Sequence, residues 1–103
     1  MDKIASLQNF LRDSPDDSFL QHALALENIK IGNDKEARIL FENLLKKDAE
    51  YIGSYYHLAK LLERIGETDE AIKTYEKGMA YARKAGDNHA YNELQAAFED
   101  LTF

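Results

Sequence analysis

The chain has 103 residues, which is enough for one small domain and too few for two. Its 13 lysines and arginines against 19 aspartates and glutamates leave a net charge of −6, which disfavours nucleic acid or an anionic membrane as the main partner. There is no cysteine, so disulfides, thiolate metal sites and cysteine nucleophiles are excluded. One proline and five glycines in a chain that is 45% hydrophobic predict an all-α fold.

The sequence shows no signal for membrane targeting. Its first ten residues mix charged and amide side chains with apolar ones, where a signal peptide needs an unbroken apolar stretch. No run of residues approaches the roughly 20 apolar positions that span a bilayer. We therefore expect a cytoplasmic protein without a membrane partner.

The first predicted helix covers residues 3–13. Its apolar residues fall on one face at helical spacing: Ile4, Leu7, Phe10 and Leu11. The adjacent acids Asp16 and Asp17 then precede the next apolar run. Paired carboxylates can perform acid–base chemistry, but the dipole of a helix N-terminus also favours them there. We interpret this pair as a helix start.

Residues 17–31 and 34–47 form a predicted helix–turn–helix. Gly32 follows the last apolar residue of the first helix, where glycine adopts a left-handed C-cap at little cost. The dipeptide Asn33-Asp34 supplies an N-cap for the second helix. The apolar residues of that helix follow at spacings of three and four: Ala37, Leu40, Phe41, Leu44 and Leu45.

The same order recurs over predicted helices 51–65 and 68–85, with Gly66 between them and Thr68 or Asp69 as the expected cap. A shift of 34 residues superimposes Ser18–Tyr51 on Ile52–Ala85 without a gap. The matching pairs keep helix–turn–helix order: Leu24/Leu58, Ala25/Ala59, Ile31/Ile65, Gly32/Gly66, Glu36/Glu70, Ala37/Ala71 and Glu42/Glu76, with Phe41/Tyr75 as an aromatic match.

These residues resemble the tetratricopeptide repeat family, whose period is 34 and whose pattern is W-x2-L-G-x2-Y, then A-x3-F, then P. The second copy reads Tyr55-x2-Leu58-Ala59-x2-Leu62 and then Ala71-x3-Tyr75. The first copy departs further from the pattern, and the proline after each second helix is missing from both copies. The resemblance implies core packing of Tyr55, close helix contacts at the small residues, and a short right-handed superhelix of about six antiparallel helices.

The resemblance also implies a single domain over 1–103, with repeats at 18–51 and 52–85. Residues 3–13 then match the second helix of an incomplete repeat, and 86–103 provide a terminal capping helix near 88–102. The apolar residues of this last helix line one side: Ala90, Leu94, Ala97, Phe98 and Leu101. Residues 86–103 contain four acids and no lysine or arginine, whereas the two repeats are neutral.

No constellation for catalysis or cofactor binding is recognisable in the sequence. The five glycines are never closer than eight residues apart, so neither dinucleotide nor P-loop spacing exists. None of His22, His57 and His89 begins an H-E-x-x-H motif or follows a glutamate by three residues. We therefore expect a protein that is not an enzyme and has no cofactor and no metal site.

The resemblance implies a binding role, because the first helices of stacked repeats line a concave surface used for ligands. The residues that match this face, or the turns beside it, are Phe19, His22, Leu26, Ile29, Lys30, Tyr51, Tyr56, Lys60, Glu63, Arg64 and Lys84. Their apolar and cationic character suits an apolar peptide or protein segment that carries an acid. The alternative is structural self-association, in which the same apolar face is buried in a homodimer.

Overall fold

A computed structural model describes residues 2–103, and these form six α-helices and no strand. The helices are α1 (Lys3–Asp13), α2 (Ser18–Lys30), α3 (Asp34–Lys47), α4 (Gly53–Arg64), α5 (Thr68–Ala85) and α6 (Asn88–Thr102). The predicted all-α class is confirmed. Four helices have the predicted bounds, and α2 is one residue shorter at each end than predicted.

The beginning of α4 differs from the prediction by two residues. The amides of Ser54 and Tyr55 bond to the carbonyls of Tyr51 and Ile52, at 3.2 Å each. These are i,i+3 bonds of the tighter 3₁₀ type. The α-helix therefore begins at Gly53, although the chain already turns at Tyr51.

Short polar side chains cap the N-termini of three helices that follow turns. Asp17, Asn33 and Asp87 each accept a hydrogen bond from the backbone amide three residues later, at 3.0, 3.3 and 3.0 Å. A cap of this kind satisfies one of the amides that the first helical turn leaves unpaired. The interpretation of Asp17 as part of a helix start is thus confirmed.

The expected cap of α5 at Thr68 or Asp69 is wrong. Glu67 occupies the N-cap position, and its side chain makes no capping hydrogen bond. The reason is the short connection, since Glu67 still bonds to the carbonyl of Leu62 in α4 and already accepts from the amide of Ala71 in α5, both at 2.9 Å. Thr68 and Asp69 are therefore within the first turn of the helix.

The predicted glycine turns are confirmed at the ends of α2 and α4. Gly32 and Gly66 have φ of +81° and +83°, a conformation that strains residues carrying a Cβ. After α2, Gly32 bonds to the carbonyl of Ile29 and Asn33 bonds to that of Asn28, at 3.0 and 2.8 Å. This bond pair satisfies carbonyls that the last helical turn would otherwise leave free.

The helices group into two compact units. The first ends at Asp48 and contains α1, α2 and α3, with α2 packed against both neighbours. The second begins at Ala49 and contains α4, α5 and α6, with α5 packed against both neighbours. Helix α1 contributes no buried residue to the first unit.

Small residues lie at the helix contacts of both units, as the repeat resemblance implies. Ala25 and Ala37 in the first unit are fully buried, and so are Ala59 and Ala71 in the second. The larger buried residues of the first unit are Leu24, Phe41 and Leu44, and those of the second are Tyr55, Leu58, Leu61, Leu62, Tyr75 and Leu94. Each large apolar side chain buried in this way contributes about 1.5–3 kcal/mol relative to an exposed one.

Candidate binding surfaces

Helix α2 presents a mostly apolar face to solvent in the first unit. Its buried face is formed by Leu24, Ala25 and Asn28. The residues predicted for binding lie on the opposite side at helical spacing: Phe19, His22, Leu26, Ile29 and Lys30. Phe19 is 67% exposed, and the next three of these side chains are half-buried. The structure thus brings these five predicted residues onto one helix face.

One residue of this face, His22, also contacts the core of the first unit. The His22 ring meets the buried ring of Phe41 from α3 edge-on, with centroids 5.7 Å apart. Such an arrangement places the positive edge of one ring against the negative face of the other. His22 therefore has a packing role in addition to its predicted place on the binding face.

The cation predicted on this face is paired. Lys30 Nζ lies 2.9 Å from the Glu27 carboxylate, and Lys3 Nζ from α1 lies 4.0 Å from it. The hydrogen bond from Lys30 and the positive charges of both lysines lower the pKa of Glu27. Glu27 consequently stays ionised at neutral pH between two ammonium groups.

A cleft of about 430 Å³ lies between α1 and α2. Its lining combines apolar and charged side chains: Lys3, Ser6, Leu7, Ala23, Leu26, Glu27 and Lys30. Only Leu26 and Lys30 belong to the residues predicted for binding. The other lining residues were not predicted, because the prediction considered the face of one helix at a time. Two signals in the sequence could have identified them. Ala23, Leu26, Glu27 and Lys30 follow helical spacing, and Leu7 belongs to the apolar stripe of α1.

Helix α4 presents the corresponding face of the second unit. Its buried side is formed by Tyr55, Leu58, Ala59 and Leu62, together with Leu61 and Ser54. Tyr55 also donates a hydrogen bond from its hydroxyl to the carbonyl of Ala49, at 2.6 Å, and stacks on Tyr81. The core role expected for Tyr55 is confirmed.

The outward side of α4 carries Tyr56, Lys60, Glu63 and Arg64, four of the residues predicted for binding. Lys60 Nζ lies 5.8 Å from the centre of the Tyr56 ring and 3.7 Å from the Glu63 carboxylate. Tyr56 in turn meets the His57 ring edge-on at 5.6 Å. The ammonium group of Lys60 is thus placed between an aromatic ring and a carboxylate.

Glu63 is tied to the core of the second unit. Its carboxylate accepts a hydrogen bond from the hydroxyl of Tyr75 in α5. Burial, followed by the bond to Glu63 and its negative charge, raises the pKa of Tyr75 well above its ordinary value. The hydroxyl therefore remains a donor, and Glu63 is oriented by this bond and by Lys60.

His57 is a half-buried residue of α4 whose imidazole is influenced by the charge of a residue in α6. Burial lowers the pKa of its imidazole, and the negative charge of Glu93 in α6 opposes that shift.

The remaining two predicted residues lie near the start of the second unit. Tyr51 is half-buried in the turn before α4, and Lys84 in the last turn of α5 is 3.6 Å from the Glu50 carboxylate.

Neither a metal cluster nor a membrane span is found among residues 2–103. No three histidine, aspartate or glutamate side chains in that range are grouped so that they could hold a metal ion. None of the six helices combines the length and the apolar character that crossing a bilayer requires.

Known proteins resemble this chain in sequence and in fold. The profile of the tetratricopeptide repeat matches residues 32–98. The crystal structure of a tetratricopeptide repeat domain protein from Salinibacter ruber has 44% sequence identity and a TM-score of 0.80, covering 84% of this chain and 96% of that one. The solution structure of the domain from that organism has 45% identity and a TM-score of 0.81, covering 84% and 88%.

A solution structure of a protein from Bordetella parapertussis has the same fold. It covers 99% of this chain and 89% of that one with a TM-score of 0.85, at 24% identity. The comparison with curated proteins finds no match.

Proposed function

Because this chain belongs to the tetratricopeptide repeat family, we propose that it is a non-enzymatic module that binds a peptide or protein segment. The candidate surfaces are the outward face of α2 in the first unit and that of α4 in the second. Proteins of this family generally act in protein–protein interaction. The proposal for this chain concerns the surface and the kind of ligand.

The observation that carries the proposal is the apolar strip along α2. Phe19 is 67% exposed on the first turn, and Leu26 and Ile29 continue the strip as half-buried residues. Apolar surface left in water is a source of binding free energy, at roughly 25 cal/mol per Å² that a partner covers. In the second unit, the aromatic ring of Tyr56 on α4 offers a comparable contact to a partner.

The proposal is tested by affinity capture with the full chain and a pair of matched variants. Phe19→Ser removes the exposed ring of α2, whereas Ile39→Ser removes an apolar side chain of α3 that is 43% exposed and lies outside the proposed surface. A partner retained by the wild type and by Ile39→Ser, and lost by Phe19→Ser, supports the proposal. Equal retention by all three proteins contradicts it.

A second candidate function is structural self-association through the same strip. The exposure of Phe19 favours it equally, because a second copy could cover the ring. Sedimentation equilibrium distinguishes the two functions. A dimer that dissociates in Phe19→Ser and persists in Ile39→Ser supports self-association, and a monomer at every concentration supports a surface available to another protein.

A further inference from the structure

The cleft between α1 and α2 has an apolar floor that remains in contact with water. Leu7 from α1 and Ala23 and Leu26 from α2 line it, and all three are half-buried. Its volume of about 430 Å³ lies within the range of roughly 300–1,000 Å³ typical of small-ligand sites. An aliphatic side chain that enters the cleft would remove this floor from water, which is favourable.

The charged rim of the cleft selects the sign of its ligand. Lys3 and Lys30 flank Glu27, so the rim carries one positive charge in excess. The lysine side chains are 77% and 65% exposed, whereas that of Glu27 is 16% exposed. Each ammonium group has three donors, and the single carboxylate between them cannot use them all. The groups available to a ligand are therefore the cations.

We infer that this cleft docks an acidic segment of a partner protein, with an aliphatic side chain on the floor and an aspartate or glutamate against Lys3 and Lys30. The inference rests on the proposed function, because Leu26 and Lys30 belong to the α2 face as well as to the cleft. It adds the part of α1 that faces α2, and it specifies the chemistry of the partner. A basic segment would be opposed by both lysines.

The test uses the ¹⁵N-labelled full chain and three short synthetic peptides with blocked ends. The first contains two leucines and two glutamates one helical turn apart. The second has lysines in place of the glutamates, and the third has serines in place of the leucines. We expect the first peptide to shift the amide signals of Leu7, Ala23 and Leu26, and the other two to bind about tenfold more weakly or not at all.

Two charge variants localise the effect. Lys30→Glu reverses the excess charge of the rim, and we expect about tenfold weaker binding of the acidic peptide. Lys73→Glu is the matched control, because Lys73 also pairs with a glutamate three residues earlier, at 3.7 Å from Glu70 in α5. Both variants change the net charge equally, so a loss confined to Lys30→Glu is a local effect.

A third variant, Ala23→Leu, fills the floor without changing any charge, and we expect it to block the acidic peptide. Thermal melting of each variant identifies any that do not fold.

Three outcomes would overturn the inference: equal loss of peptide binding in both charge variants, preference for the basic peptide, or amide shifts confined to α4. If the captured partner is lost in Phe19→Ser but is held fully by Lys30→Glu and Ala23→Leu, the proposed function stands and the cleft inference fails.

Discussion

Gly78 in the middle of α5 lies directly against Tyr55 in α4. A Cβ atom built on Gly78 would lie 2.7 Å from Cβ of Tyr55 and 3.1 Å from Cδ1 of Leu94 in α6. Real Cβ atoms essentially never show a contact as short as the first distance, and Tyr55 Cβ is fixed close to the backbone of α4. Glycine at this position therefore allows α5 to approach both of its neighbours closely.

Gly78→Ala is expected to destabilise the protein, although alanine favours a helix interior over glycine by about 1 kcal/mol. The added methyl forces α4 and α5 apart, and overpacking of a core typically costs about 1–3 kcal/mol. We expect a net loss of about 1 kcal/mol in the free energy of unfolding, measured in urea. Lys77→Ala, at the exposed neighbouring position, serves as the control and should change stability by less than about 0.5 kcal/mol. A more stable Gly78→Ala variant would disprove the close approach.

Ala71→Leu tests the small-residue contact between the helices of the second repeat. Ala71 is fully buried, so a larger side chain has no space and should cost about 1–3 kcal/mol. That is a large share of the roughly 5–15 kcal/mol that stabilises a typical domain. Ala80→Leu places the same substitution on the exposed side of α5 and should leave the melting temperature nearly unchanged. Equal melting temperatures for the two variants would contradict the role of Ala71.

Tyr75 is expected to make the protein sensitive to alkali. Its pKa in the folded state is raised above the ordinary value of 10, so the unfolded chain releases this proton first as the pH rises. The stabilisation is present below pH 10 and decreases above it by about 1.4 kcal/mol per pH unit. Tyr75→Phe lacks this proton, and its stability should therefore fall less steeply than that of the wild type.

The measurement compares the free energy of unfolding of the two proteins between pH 9 and 11. All other side chains are the same in the two proteins, so only the difference between the two curves reports on Tyr75. Parallel curves over this range would show that the Tyr75 hydroxyl is not held in its protonated form.

The contribution of His57 to the free energy of unfolding is expected to decrease at acidic pH, in contrast to that of Tyr75. Burial lowers the pKa of its imidazole below the ordinary value of 6.5, so the stability that it contributes is present above that pH and is lost as the pH falls. Glu93→Gln removes the charge that opposes the shift and should lower the pKa of His57 further. An NMR titration of the His57 imidazole protons measures this pKa in the wild type and in the variant.

A pKa of His57 above 6.5 in the wild type would contradict the dominant effect of burial. An unchanged value in Glu93→Gln would show that the carboxylate of α6 does not act on the imidazole.

The bounds of the helices were predictable because the signals that determine them are local. Gly32 and Gly66 both adopt the left-handed conformation at the end of the first helix of their repeat. The side chains of Asp17, Asn33 and Asp87 accept hydrogen bonds from backbone amides three residues later. The N-terminus of α5 shows where local signals are insufficient. Glu67 occupies the N-cap position in place of Thr68 or Asp69 because the turn that closes α4 had already determined the path of the backbone.

The candidate surfaces were predictable only in part. Helical spacing is sufficient to place Phe19, Leu26 and Lys30 on one side of α2. It cannot show what each side chain meets, so the sequence did not reveal that the predicted cations have acidic neighbours. In the structure Lys30, Lys60 and Lys84 each lie within 4 Å of a glutamate, and Glu63 accepts from Tyr75.

By itself, the sequence determined that this is a helical repeat protein, where its helices begin and end to within two residues, and which alanines lie at helix contacts. These properties follow from spacing along one chain, because the period of a helix converts sequence separation into direction. The tertiary structure decided that Gly78 lies against Tyr55, that Tyr75 donates to Glu63, and that a cleft with a cationic rim separates α1 from α2. Each of these features depends on the distance and angle between two helices. The packing of the whole unit determines that geometry, and no local sequence pattern specifies it.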